Sequence, residues 1–435
     1  MPERKRYALI GTGGRSVMFL NALAGKHRDE SELVAMCDMS QTRMKWQLDR
    51  MAREFSFAPV PTYSEKDFDR MIRETKPDTV IVTTPDATHH TYIIRAMELG
   101  CDVISEKPMT TDAAKARAIF DAIDRTKRKL RVTFNYRYTP HTTKVREIIA
   151  TGQIGTPLFV DLHWVLDTSH GADYFRRWHR LKEMSGGLLV HKATHHFDII
   201  NWWIDSYPKT VYAMGELKFY GKKAADSRGE KYAYERYLGK SDPKQDPFAI
   251  DMSKDSDLKG LYLEAEKETG YIRDRNVFND DINIEDTMAL TVKFRSGVIM
   301  SYSLIAYCPW EGLRVAVTGT KGRVELYDQH GGHIICGDDD KMPAAAPEKG
   351  HELTITLFPM FGHPQRIEVP RAEGTHGGAD PILVRDIFSS NRTPDPFGRF
   401  ATHLGGAASI LTGIAANESI ATGIPVEVDK LLKLP

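Results

Sequence analysis

The run Gly186-Gly187-Leu188-Leu189-Val190-His191-Lys192-Ala193-Thr194-His195-His196-Phe197-Asp198 gathers the side chains of this chain best suited to moving a proton. On a helix, His191 and His195 share a face at i, i+4, and His195 and Asp198 share it at i, i+3. Imidazole titrates at roughly pH 6.5 and so can take a hydroxyl proton near neutrality. The same spacing suits zinc, since two histidines and a carboxylate can hold that ion. The glutamate of an H-E-x-x-H metal motif is missing, however, so no metal is expected. Histidines that merely satisfy one another inside a packed interior are the plainer alternative.

Glu106-Lys107-Pro108 is the next such group. Proline restricts the residue before it to extended backbone, which fixes the direction of Lys107. That ammonium can donate to a substrate oxygen and stabilise alkoxide character. Desolvated among other cations it can instead lose its proton and serve as the base. The residues leave the proton unassigned between Lys107 and His195.

A third group reads Gly11-Thr12-Gly13-Gly14-Arg15-Ser16 and follows the apolar run YALI. Gly11 permits a tight turn, Gly13 lets backbone approach a pyrophosphate, and Ser16 is small enough for close helix packing. Gly14 and Arg15 complete the turn. Asp38 ends the next apolar run, where a carboxylate accepts from ribose hydroxyls and repels a 2′-phosphate, so NAD is expected over NADP. Arg43, five residues on, would favour NADP if it faced the ribose, and is otherwise a solvated helix residue. Thr83-Thr84-Pro85-Asp86, with His89 beyond it, and Glu106-Lys107 fall at carboxyl ends of further runs, the edge along which open α/β sheets bind ligands. Thr84, Pro85, His89, Glu106 and Lys107 therefore join the cofactor candidates.

Tyr174-Phe175-Arg176-Arg177-Trp178-His179-Arg180 sets arginines among aromatics. Facing the site, Arg176 and Arg177 would offer forks to a carboxylate, phosphate or sulfonate, and with Lys107, His191 and Lys192 would make a cationic pocket for an anionic sugar. A solvated loop is the other reading. Tyr136, in Asn135-Tyr136-Arg137-Tyr138, leads out of the first domain and could touch sugar hydroxyls.

The elements that must hold these groups alternate. From Tyr7 to Asn135 the runs YALIG, LVAMCD, TVIVTT, DVISEKP and RVTFN are separated by helix-period stretches, which specifies a parallel sheet with crossover helices. Beyond it, strand-like alternation recurs at 156–166, 210–219, 288–294, 298–306, 313–318 and 323–326, with turns such as Ser296-Gly297 and Lys321-Gly322. That pattern fits a meandering antiparallel sheet. The segment from about Tyr220 to Asp286 is charged and aperiodic, longer than an ordinary loop, and therefore expected to be functional or oligomer-forming. Asn276, Asn279 and Glu285 within it could meet sugar hydroxyls, as could His376 in a later polar turn.

With these motifs together, the chain resembles the Gfo/Idh/MocA family, named for glucose-fructose oxidoreductase and inositol dehydrogenase. The resemblance implies an α/β fold: an N-terminal Rossmann doubly wound parallel sheet over residues 1–136, then a C-terminal α/β domain with an open, mostly antiparallel sheet over 137–435, whose last helices pack back on the first domain. It implies that Lys107 is the family's E-K-P lysine, that His195 is its catalytic histidine, and that Asp198 matches too. His191, where many members place an aspartate, Lys192 and His196 depart from the pattern. His191 and Lys192 are thus further catalytic candidates, and His196 and Asp198 join Tyr136, Arg176 and Arg177 as substrate-binding candidates.

The activity so implied is an NAD-dependent sugar, cyclitol or glycoside dehydrogenase, probed by hydride transfer at a ring hydroxyl. A second reading is an NAD-dependent glycoside hydrolase: oxidation at C3 acidifies the C2 hydrogen, a base removes it with loss of the aglycone, water adds, and the ketone is reduced again. A non-catalytic dinucleotide sensor is a third, against which the presence of both Lys107 and His195 speaks. Family members oligomerise through the second sheet, so a homo-oligomer, dimer or tetramer, is expected.

The bulk numbers set the frame. At 435 residues the chain is long enough for two domains, and Lys plus Arg and Asp plus Glu both number 59, which removes the basic footprint of a nucleic-acid binder. Cys37, Cys101, Cys308 and Cys336 form no C-x-x-C pair and read as buried thiols of a reducing compartment. MPERKR runs directly into a strand without the apolar core of a secretory signal, and no long apolar run offers a membrane span. A cytoplasmic enzyme with a small-molecule partner is the resulting expectation.

Overall fold

The structure is a computed structural model and describes residues 4–239, 246–331, 333, 352–369, 378–390 and 394–435. The chain divides into two compact units: Met1–Thr139, Met252–Arg273 and Ala372–Ala407 form the first, and Pro140–Asp251, Asp274–Arg371 and Ala408–Pro435 the second. A single run from 137 to 435 is therefore not what the second unit is made of, because two later stretches belong with the first. His376 and Cys336 lie outside the described residues.

The first unit is built on β1 (Lys5–Ile10), β2 (Ser31–Asp38), β3 (Thr62–Ser64), β4 (Thr79–Val82), β5 (Asp102–Ser105) and β6 (Leu130–Val132). Their spatial order is β6-β5-β4-β1-β2-β3, with a short strand Ala401–Thr402 beyond β6. The six pair in parallel and only the short strand is antiparallel, so the sheet is the doubly wound one. Continuous apolar runs such as TVIV in β4, buried at every position, mark strands covered on both faces. β3 escaped the sequence reading because TYS is too short to show a period.

The helix Ala379–Phe388 explains why a late stretch joins this unit. Its Leu383, Ile387 and Phe388 are buried in one cluster with Tyr7, Phe19 and Leu20, and the Phe388 ring meets that of Tyr7 edge-on at 5.0 Å. Burying such side chains is worth about 1.5–3 kcal/mol each, enough to fix a helix far away in sequence.

The second unit carries β7 (Pro157–Asp167), β8 (Pro208–Glu216), β9 (Thr287–Phe294), β10 (Ile299–Cys308), β11 (Gly312–Gly319), β12 (Gly322–Gln329), β13 (Leu353–Pro359) and β14 (Gln365–Ile367). They lie in the order β14-β13-β12-β11-β7-β10-β9-β8, followed by Val426–Glu427. Every pairing is antiparallel except β10 with β7. In β9 the burial alternates strictly, with Met288, Leu290, Val292 and Phe294 inward, as a sheet covered on one face requires. The helix Thr194–Ile204 is buried along its whole length. The single helix that would put His191 and His195 on one face is broken instead into one helical turn, Leu188–His191, and that longer helix.

Of the cysteines, Cys37 and Cys101 are buried free thiols and Cys308 is partly exposed. Among the described residues no helix is long and apolar enough to cross a membrane.

Candidate functional site

In the first unit the glycine turn sits at the carboxyl end of β1. Gly11 adopts φ +90°, and a Cβ there would stand 2.6 Å from the Thr84 amide nitrogen, so only glycine fits between β1 and the end of β4. The turn is tied on every side. Thr83 Oγ1 donates to the Gly11 carbonyl at 2.5 Å, Ser16 Oγ donates to the Gly13 carbonyl at 2.7 Å, and the buried Gln47 amide donates to the Thr12 carbonyl and to Ser16 Oγ, both at 3.2 Å. Gln47 was not singled out in the sequence, where it is one polar residue on a helix.

Asp38 accepts from the Thr12 amide at 2.5 Å and Thr12 Oγ1 at 2.9 Å through one oxygen, and from the Ser40 amide at 2.9 Å through the other. It thus latches the end of β2 to the glycine turn, at the position where a dinucleotide-binding sheet places the carboxylate that meets the ribose. A small-residue turn opening the helix Ser16–Ala24, with a carboxylate at the end of β2, fits the pyrophosphate and ribose of a nicotinamide dinucleotide.

Arg15 and Glu106 meet across this edge. Arg15 Nε lies 2.8 Å from Glu106 Oε1 and its NH1 3.7 Å from Asp380. Thr133 Oγ1 donates to Glu106 at 2.8 Å, and the Lys107 amide donates to its other oxygen at 3.2 Å. Glu106 is buried and acts as a junction among β1, β5 and β6, which holds the backbone that presents the half-buried Lys107. The Lys107–Pro108 peptide is cis.

His89 is turned away from the cofactor role expected of it. Its Nδ1 faces the Pro108 carbonyl and its Nε2 the Thr84 carbonyl, each at 2.8 Å, and the ring is buried. With both nitrogens spent on backbone, it brackets the Thr84-Pro85 and Lys107-Pro108 loops and has no nitrogen left for a cofactor. Burial pushes its pKa down. Thr84 and Pro85 remain at the surface of that loop, half-buried and exposed respectively, and Tyr136 is half-buried in a short turn after β6.

In the second unit the proton-bearing groups gather where β7 ends, β11 begins and β12 ends. Asp167 caps the helix Thr168–Arg176 by accepting from the Ser169 and His170 amides. His170 Nδ1 lies 2.8 Å from Glu311 Oε2, and its Nε2 lies 3.0 Å from the Tyr174 hydroxyl. Lys192 Nζ is 4.0 Å from Glu311 Oε1 and 5.2 Å from the centre of the Trp164 ring. His330 stands 3.6 Å from Glu311 and 3.1 Å from Asp328, which His141 also approaches at 3.3 Å.

Charge in this cluster follows from burial and neighbours. Burial opposes the Glu311 charge, yet His170, His330 and Lys192 together hold its carboxyl well below the usual range. Burial pulls Lys192 down against Glu311 and Asp167. Burial also opposes the charge on His330, but Asp328 and Glu311 prevail and raise it to about 9. A carboxylate, an amine of lowered pKa and a histidine bonded to a tyrosine can store and pass protons.

The predicted residues divide around that cluster. His191 packs its ring edge-on against His179 at 4.2 Å and near Tyr174 at 5.5 Å. His195 is buried one turn on, and its amide meets the Lys192 carbonyl at 3.3 Å. His196 turns away: it is fully buried, stacks on Trp164 at 3.8 Å and pairs with the Tyr302 hydroxyl at 2.8 Å. It anchors the helix to the sheet, a packing role in place of the expected substrate contact. Asp198 is likewise fully buried.

Arg176 donates to the Phe248 carbonyl at 2.7 Å, and Arg177 pairs with Asp173 at 3.0 Å, so neither presents the open fork that was expected. Among the segment residues, Asn276 is buried and bonds the Tyr234 carbonyl, Asn279 bonds the Glu235 carbonyl, and Glu285 pairs with Lys182. Among the described residues no cluster of three or more His, Cys, Asp or Glu side chains is arranged to hold a metal.

Known protein families match both halves of the chain. A family model described as the NAD-binding Rossmann fold of an oxidoreductase family matches residues 5–134, and the model of that family's C-terminal alpha/beta domain matches 146–428. The chain is similar to YteT of Bacillus subtilis (strain 168), named as an oxidoreductase, at 36% identity over 445 residues and 99% of both chains. It is 27% identical over 219 residues to an inositol 2-dehydrogenase of Rubrobacter xylanophilus, covering 49% of this chain and 56% of that protein. The solved structure of aldose-aldose oxidoreductase from Caulobacter crescentus shares the fold, with a TM-score of 0.62 at 18% identity over 98% of this chain and 100% of that one.

Proposed function

This chain belongs to the Gfo/Idh/MocA oxidoreductase family, and we propose that within it the protein moves hydride between NAD and a ring hydroxyl of a sugar, cyclitol or glycoside. The observation that carries the reading is the cradle at the end of β1, where Gly11 admits no side chain and Asp38 stands ready for a ribose. Inositol and aldoses, named for two of the similar proteins, share a ring or open-chain polyol and so support that substrate class.

A dinucleotide bound at that cradle supplies the hydride acceptor. Lys107 donates to the substrate oxygen and holds its developing negative charge, and His195 takes the hydroxyl proton. Glu106 fixes the backbone from which Lys107 extends. An anionic substituent on the substrate would rest on Lys192 and His191, since Arg176 and Arg177 are engaged within the chain. Lys107→Ala and His195→Ala test the roles: each should lower kcat by about 10²-fold or more while leaving NAD affinity nearly intact. Unchanged kcat in both variants would refute the assignment.

The Lys192, Glu311, His170 and Tyr174 chain favours a second reading. Dehydrogenation needs one base, whereas a glycosidase that borrows the oxidation also needs a base for the C2 hydrogen and an acid for the leaving group. This chain of contacts supplies candidates for both.

On the solvent face of the second sheet, Phe159, Tyr212, Met214 and Ile299 are exposed. A homo-oligomer would cover them, and light scattering of the purified protein would give a monomer mass if it does not.

A further inference from the structure

The stretch Met252–Arg273 lies far along the chain yet belongs to the first unit, and it seats a carboxylate on the donors just past β2. Glu268 Oε2 accepts from Ser40 Oγ at 2.5 Å and from the Thr42 amide at 3.1 Å, and Oε1 accepts from Thr42 Oγ1 at 2.6 Å. These hydrogen bonds hold the Glu268 carboxyl below the usual carboxylate range. Ser40 caps the helix Gln41–Phe55, so the same carboxylate also faces the positive end of a helix.

The stretch is held there by several other contacts. Arg43 Nε donates to the Leu261 carbonyl at 2.7 Å, and its guanidinium lies 5.3 Å from the centre of the Tyr262 ring. The Tyr262 hydroxyl accepts from the Gly14 amide at 2.9 Å. A Cβ on Gly260 would come within 2.0 Å of the Trp46 ring, so the backbone is pressed against that helix.

In a doubly wound sheet the adenosine ribose lies beside the residue that ends β2, here Asp38, and an NADP 2′-phosphate takes its donors from the residues that follow. Here those donors are the Ser40 hydroxyl, the Thr42 hydroxyl and amide, and Arg43. Glu268 already uses the first three, and the Leu261 carbonyl takes Arg43 Nε. We propose that Glu268 is a specificity-determining residue: it occupies the place of a 2′-phosphate with the chain's own negative charge and thereby selects NAD. The inference rests on the reading above that the cradle binds NAD. A 2′-phosphate brings about two negative charges and would have to displace this carboxylate or sit against it.

Calorimetric titration of the full-length protein with NAD and with NADP, and with 5′-AMP and 2′,5′-ADP as fragments, tests this without turnover. The unaltered protein should bind NAD and 5′-AMP more tightly than their phosphorylated counterparts. In Glu268→Ala the freed donors should tighten NADP and 2′,5′-ADP by about 10- to 100-fold, the worth of one or two hydrogen bonds to a charged group. NAD should change by no more than about 5-fold, a margin of roughly 1 kcal/mol.

Glu268→Gln, which keeps the shape and removes the charge, should move the ratio in the same direction and serves if the alanine variant does not fold. Adding Thr42→Val should take back most of the gain. Glu268 variants that fold, bind NAD and leave the NAD to NADP ratio unchanged would overturn the role of Glu268 alone. An unaltered protein that binds neither dinucleotide, or prefers NADP, would overturn the NAD reading on which it rests.

Discussion

Arg15 Nε and Glu106 Oε1 lie 2.8 Å apart, joining the residue that opens the helix after the glycine turn to the residue that precedes Lys107. The pair ties the part of the fold that would hold a dinucleotide to the part that presents the lysine. Removing one member of a buried ion pair leaves an uncompensated charge and costs about 3–5 kcal/mol, but the Arg15 side chain is 31% exposed and water recovers part of that. Glu106→Ala should therefore cost about 2 kcal/mol in urea unfolding, and NAD affinity should fall with it. A stability change near zero would mean that the junction does not bear on the fold.

Gly11→Ala should be worse tolerated. The left-handed backbone at φ +90° costs an alanine about 1–2 kcal/mol, and its Cβ would press on the Thr84 amide. Loss of NAD binding together with a lowered Tm is the expected outcome, read by titration and thermal unfolding. Gly152→Ala, also at positive φ but with nothing near the added Cβ, serves as the control and should leave binding unchanged.

The His330 contacts make stability depend on pH. Its pKa is raised to about 9 by Asp328 and Glu311, against an ordinary value of 6.5. A raised pKa means the folded state holds the proton more tightly, so this stabilisation is complete below about pH 6.5 and fades as pH climbs towards 9. Lys192 acts in the opposite sense, because burial disfavours its charged form and rising pH relieves that cost. Subtracting the unfolding free energies of His330→Gln from those of the unaltered protein across this range isolates the histidine. The difference should shrink as pH rises, and a difference that stays flat would show that His330 is not protonated in the fold.

Glu311 and Lys192 should respond unequally. Glu311 is buried and faces His170, His330 and Lys192, so Glu311→Gln removes the negative charge that this cluster is built around and should destabilise by about 3 kcal/mol. Lys192→Met removes a charge that burial already opposes and leaves an apolar chain beside Trp164, so its cost should be smaller. Urea unfolding of the two variants decides, and the reverse order would contradict the charge balance described here.

Much of this architecture could be read from the sequence because it rests on repetition. Apolar runs alternating with helices require a parallel sheet, and Gly11 to Ser16 between a run and a helix marks the cradle. The proton-bearing cluster was half visible: His191, Lys192 and His195 lie close together in sequence, but His170, Glu311 and His330 do not. Their common feature is position, since Asp167, Glu311 and His330 flank the adjoining strands β7, β11 and β12, whose register brings Gly312 beside both Val165 and Gln329. Knowing the register would have found them.

Glu268 was hidden for another reason. The region around it has no periodicity, and its contacts to Ser40 and Thr42 are single hydrogen bonds that leave no pattern along the chain. His196 misled because its type and spacing suit a ligand, while the direction of its ring is set by Trp164 and Tyr302 beneath it.

The central claim is hydride transfer at a ring hydroxyl, and the most direct measurement mixes the purified protein and NAD with a panel of free sugars, cyclitols and nitrophenyl glycosides while following reduced nicotinamide and nitrophenol together. Reduced nicotinamide should form in proportion to the sugar oxidised, with the glycosidic bond intact. Nitrophenol released without net reduction of NAD would contradict it and establish the glycosidase.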